Sequence, residues 1–160
     1  MKEVFIKMAL DAWQTYQKRT EDLFNELPDA KLANEVSPGR NSGIYLLGHL
    51  TAVHDSMLPL LGSGEALYPA LRKPFIEQAD KAATQIPSTA ELRQYWKTVN
   101  EKLNEAMGRL KSDDWFTRHN AVSEEDFKKE PHRNKLNIII NRTNHLASHY
   151  GQLLFLKEKQ

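Results

Sequence analysis

No cysteine occurs in this chain of 160 residues. Disulfide cross-links, thiolate metal sites and cysteine nucleophiles are therefore excluded. A fold that needs no disulfide suits the cytosol, and a cytoplasmic location is expected. Charge of one sign is missing too: 22 Lys and Arg against 21 Asp and Glu leave a formal +1. So small a balance gives no general attraction for nucleic acid or an anionic membrane surface, and neither partner is expected. The basic pair Lys128-Lys129 is offset by Glu124, Glu125, Asp126 and Glu130 and reads as solvated surface. No run approaches the roughly 18 apolar residues of a membrane span. The stretch MKEVFIKMALDAWQTYQ carries acidic residues at helical spacing and lacks the apolar core of a signal peptide. No alternating strand pattern, internal repeat, Gly-rich phosphate loop or Ser–His–Asp constellation is legible.

What is present is the material of a helical protein. Hydrophobic residues make up 40% of the chain and charged residues 27%, as in an ordinary water-soluble protein. A chain of this length can bury about 70% of its extended surface and needs no staple, so residues 1–160 read as one domain. Four long segments carry helical periodicity. The first runs from about Lys2 to Leu27, with Phe5, Ala9, Ala12, Tyr16 and Leu23 on one stripe, and Pro28 stops it. The second runs from about Ser42 to Leu61, capped by Asn41 or Ser42 and ended by Gly62, Ser63 and Gly64. Its wide apolar arc implies deep burial. A long connection from Glu65 to Pro87 follows, in which Leu67, Tyr68, Leu71, Phe75 and Ile76 are expected to pack across the bundle. The third helix starts with the capping box Ser88-Thr89-Ala90-Glu91 and reaches about Lys111. The stretch from Ser112 to Glu130 is polar, with Trp115 and Phe116 as anchors. The fourth helix starts between Pro131 and Lys135 and runs to Leu156. The pattern predicts an all-α four-helix bundle with long crossover connections, not a simple up-down-up-down order.

Three of the six histidines stand out. His145 and His149 are spaced i, i+4, so one helix face can offer both imidazoles to one metal ion. On a wheel of about 100° per residue with His145 at zero, His149 falls near 40° and Ile138 and Leu156 near 20°. Leu153 and Leu146 fall at about 80° and 100°, so the pair is expected to face the core. Asn141 and Gln152 lie near −40° and −20° and Arg142 near 60° on the same wheel, a polar girdle that could hold the ligand rings or a bound water. Chance alone gives about 0.2 such histidine pairs, so the spacing is a hypothesis for context to confirm. The third ligand would come from the second helix, where His49 and His54 lie on opposite flanks and spacing does not choose between them. His54, beside Asp55, could be a surface imidazole. His119 and His132 sit in a charged connection and are expected to be exposed. Trp13, Trp96 and Trp115 read as packing residues. Tyr45, one turn before His49, could line the site.

The stretch Asn41-Ser42-Gly43-Ile44-Tyr45-Leu46-Leu47-Gly48-His49-Leu50 and the later Asn144-His145-Leu146-Ala147-Ser148-His149-Tyr150-Gly151-Gln152-Leu153 resemble the DinB-like superfamily of metal-binding four-helix bundles. Both motifs occur in the family's order, and the likeness spans the whole chain. The resemblance implies His49, His145 and His149 as the ligands of a divalent ion, zinc or nickel, with open positions for water. It implies an up-up-down-down style bundle with a long crossover, and a homodimer. Tyr150 departs from the pattern, since many relatives carry Arg or His there. Relatives include transferases and isomerases that use low-molecular-weight thiols. That suggests a metal-dependent enzyme activating such a thiol, supplied from outside, for transfer to a small electrophilic substrate. Metal-assisted hydrolysis ranks lower, because neither ligand helix offers an obvious carboxylate base on the ligand face. A non-catalytic, stress-related metal or ligand-binding bundle is a further alternative.

Overall fold

Four long helices form the frame of the computed structural model, which describes residues 1–157: α1 (Lys2–Glu26), α2 (Gly43–Asp55), α3 (Thr89–Arg109) and α4 (Lys135–Leu153). No strand forms among the described residues; two isolated bridges, Glu35 to Ser42 and Arg118 to Asn134, tie loops together. Each helix starts or stops where the local chemistry requires. Leu27 turns extended ahead of Pro28. The Ser42 hydroxyl accepts the Tyr45 N–H at the start of α2. Ser88 and Glu91 close the expected capping box on α3. The Asn134 side chain accepts the Asn137 N–H, so α4 begins at Lys135 and not at Pro131.

The second helix is shorter than its periodicity predicts. It ends at Asp55, and a separate turn, Met57–Leu60, carries the chain on. Pro59 explains the break: it has no N–H for the Asp55 carbonyl, and its ring crowds that oxygen. The chain then leaves through Gly62 and Gly64, at φ 72° and 112°, where a side chain would be strained. Similarly α4 gives way to the 3₁₀ turn Leu154–Leu156.

The helix directions differ from the expected up-up-down-down order. Lys2 pairs with Asp113, whose following turn is tied to the start of α4 by the Lys135 N–H on the Thr117 carbonyl, and Lys157, just beyond α4, pairs with Glu26. So α1 and α4 run in the same sense. Across the bundle Trp13 packs on His54, Gln17 bonds Asn100, and Phe24 packs on Trp96. So α2 and α3 run opposite to α1, and the order is up, down, down, up. Two parallel neighbours, α2 and α3, need a crossover between them, and residues 56–88 supply it. The crossover is pinned at three places. The Asp55 carboxylate accepts the Leu67 and Tyr68 N–H groups, each at 2.7 Å. Asp80 accepts the Ser42 N–H at 2.6 Å. Leu71 and Phe75 are buried in the core, whereas Leu67, expected inside, is exposed. The three tryptophans are buried, as their packing role required.

Candidate metal centre

The fourth helix sets the register of the site. Its buried residues are Leu136, Ile139, Thr143, Leu146 and Leu153. On the helical wheel that arc centres about 120° from His145, so His145 and His149 lie on its edge and not at its middle. Both are half-buried. The same shift puts Asn141 in solvent, with no part in the site, and leaves Gln152 exposed but still within reach of His149.

His49 meets this edge from α2. Its Nε2 lies 3.1 Å from the Nε2 of His145, which in turn lies 3.1 Å from the Nε2 of His149. One nitrogen from each ring falls within 4.8 Å of the other two. Their second nitrogens show how the rings are held. His49 donates its Nδ1–H to the Phe75 carbonyl at 2.7 Å. His149 Nδ1 is 2.8 Å from the Gln152 side-chain oxygen. These bonds place the hydrogens on Nδ1 and leave both Nε2 lone pairs aimed at His145. His145 can put a hydrogen into only one of the two 3.1 Å contacts. The other is then lone pair against lone pair, an arrangement that a shared cation relieves. Metal–nitrogen bonds of about 2.0–2.1 Å set neighbouring ligand nitrogens about 2.8 Å apart at right angles and about 3.4 Å apart at the tetrahedral angle, and the two 3.1 Å contacts lie between, so the donor set fits a divalent ion.

The electrostatics also suit a ligand role. Burial pushes the His49 pKa below its ordinary value, against the bond to Phe75, which raises it. Burial, then the neighbouring His149, His49 and Arg142, bring His145 down to about 4. Both rings are therefore neutral at pH 7, with lone pairs free to bind. No carboxylate is among the groups acting on either ring.

The crossover builds the wall behind His49. Phe75 sits in a π turn, Lys73–Glu77, and its ring lies directly over Gly48, where even a Cβ would come within 2.3 Å of it. Tyr45 stacks parallel on His49, centroids 6.0 Å apart, and its hydroxyl donates to the Gln78 carbonyl at 2.8 Å. Phe75 and Gln78 are the contributors that sequence reasoning missed. Their signal was Gly48, a glycine in a helix interior directly before the histidine. Of the girdle residues, Arg142 stands half-buried beside the triad, and Tyr150 turns to Tyr16 of α1, away from it.

The other histidines do not join. His54 is fully buried, not a surface imidazole. It lies between Trp13 and Trp96, bonds Asn100 at 2.8 Å, and burial takes its pKa down to about 3. His132 is exposed as expected. His119 is half-buried, because Asn120 bonds the Leu60 and Pro59 carbonyls and draws that loop onto the turn Met57–Leu60.

Residues 12–153 match the model of a family described as the DinB superfamily. A search of curated proteins finds no match.

Proposed function

The chain belongs to the DinB superfamily, and on that footing we propose that it is a metal-dependent enzyme in which His49, His145 and His149 hold a zinc or nickel ion and the substrate is a small thiol bound for an electrophile. The observation that carries this reading is the convergence of three Nε2 atoms, with no protein thiol to fill the remaining positions. When bound, a divalent ion supplies Lewis acidity that favours the ionised form of a thiol or a water. The chain's own residues do the rest. Phe75 and Gln152 fix the His49 and His149 tautomers, and Tyr45 braces the His49 ring. Overall, the thiol loses its proton to solvent, a sulfur–carbon bond forms, and the carbon–leaving-group bond breaks with its electron pair going to the leaving group. The cytosol keeps such thiols reduced and is the compartment this chemistry suits. Hydrolysis stays the lesser reading, since the buried carboxylate nearest in sequence to the ligand helix face, Asp55, is committed to two backbone N–H groups. Val4, Phe5 and Met8 form an exposed apolar face on α1, which supports the homodimer.

The test is to load the protein with zinc or with nickel and assay conjugation of small thiols to an electrophile. We expect metal-dependent turnover that disappears in His149→Ala. Turnover unchanged in that variant refutes the scheme.

A further inference from the structure

We propose that Arg142 makes the three-histidine site selective for substrates that carry a carboxylate beside their reacting group. The inference rests on the preceding reading for the reacting group, but the carboxylate subsite is a property of Arg142 itself.

Arg142 lies one turn before His145 on α4, so both project along one edge of the helix. Each of the other half-buried arginines has an acceptor. Arg93 bonds the Phe24 and Leu27 carbonyls and Asp29; Arg118 bonds the Val122 carbonyl; Arg133 pairs with Glu130. Arg142 alone has none among the described residues. Its Nε is sealed from solvent without a partner, and burial is the one influence on its ionisation, with no carboxylate to offset it. Half-buried charges are ordinarily paired, because the desolvation is otherwise uncompensated. On the helical wheel Arg142 falls about 60° from His145 and about 20° from His149, on the triad's side of α4, and its charge acts on His49 and His145 as well as on the buried His54. Imidazoles supply no negative charge, and no carboxylate acts on the His49 and His145 rings. A divalent ion there would stand next to an unpaired guanidinium, so the site's charge calls for an anion from outside. A guanidinium offers a planar fork of N–H donors that matches a carboxylate.

The experiment compares 3-mercaptopropionate with 3-mercaptopropanol, which share the thiol and differ in the carboxylate. Calorimetry on the zinc-loaded protein is expected to show the acid bound at least about tenfold more tightly. Arg142→Gln should abolish that preference and, by removing a like charge, bind zinc no more weakly than wild type; Arg142→Lys should keep part of the preference. The second readout is the Arg142 Nε–H resonance of the metal-free protein, assigned by its loss in Arg142→Lys and expected to shift on titration with acetate. A preference that survives in Arg142→Gln, or an Arg142 signal indifferent to acetate, overturns the proposal. If zinc fails to bind while acetate still moves the Arg142 signal, the metal reading falls and the carboxylate subsite stands. If zinc binds and the two thiols bind equally, the reverse holds.

Discussion

Gly48→Ala should damage the candidate metal site without touching any of its three histidines. A Cβ at position 48 would stand 2.3 Å from the Phe75 Cε1 and 2.5 Å from its Cδ1 and Cζ. Ordinary carbon–carbon contacts are about 3.5–4.0 Å, so the ring must retreat by more than about 1 Å. It has little room: Phe75 is 1% exposed, and Tyr45 packs against it with centroids 5.9 Å apart. The π turn must therefore move, and with it the carbonyl that accepts from His49 at 2.7 Å. Losing such a partner to a ligand's second nitrogen costs about 10–100-fold in metal affinity. Overpacking adds about 1–3 kcal/mol of lost stability. Competition with a chromophoric chelator measures the first effect and urea denaturation the second. The Gly48→Ala, Phe75→Leu double variant returns space to the site and should recover part of both losses. A folded Gly48→Ala protein with wild-type zinc affinity would refute the idea that Phe75 positions His49.

Two further outcomes follow from groups away from the ion. His54 has a folded pKa of about 3, lowered by burial from an ordinary value of about 6.5. Its contribution is whole above about pH 6.5 and is lost as pH falls, because the unfolded chain takes up a proton that the native state refuses. Between pH 7.5 and 5 that loss is about 2 kcal/mol. Urea denaturation of chelator-treated protein should show His54→Leu losing less stability than wild type over this interval by about that amount; equal losses contradict the burial argument. Separately, sedimentation of the wild type should give twice the 18.4 kDa of one chain, and Phe5→Lys with Met8→Lys should give one. A wild-type monomer removes the dimer.

The helix positions, the capping box and the two motifs were legible because they depend on residues close together in the sequence. Ser88 and Glu91, or His145 and His149, interact within one turn whatever the rest of the chain does. The break at Pro59 went unread, because the apolar arc around it continues the helical pattern of the expected Ser42–Leu61 helix. Helix direction was not legible, since it depends on how far residues 56–88 must travel, and loop length alone permits more than one order. The burial of Asn141 was misjudged for a related reason. A wheel gives relative angles, and which direction is buried is set by the neighbouring helices, here centred about 120° from His145 and away from Asn141.

The same long-range packing decides which of the two α2 histidines can meet a metal. His49 and His54 lie on opposite flanks of one helix. The crossover passes over the His49 flank, with Gly48 admitting Phe75 and the Phe75 carbonyl taking the Nδ1 proton, so Nε2 stays free and directed at α4. On the other flank Trp13 and Trp96 enclose His54, and Asn100, itself bonded by Gln17, takes its Nδ1. Both rings are thus locked through Nδ1, but only one is aimed at other histidines. Replacing His49 would therefore not be rescued by His54, since the fixed Asn100 bond and the two indoles hold its Nε2 inside the core. The crossover, which the periodicity of the helices does not specify, makes one histidine a candidate ligand and leaves the other a core residue.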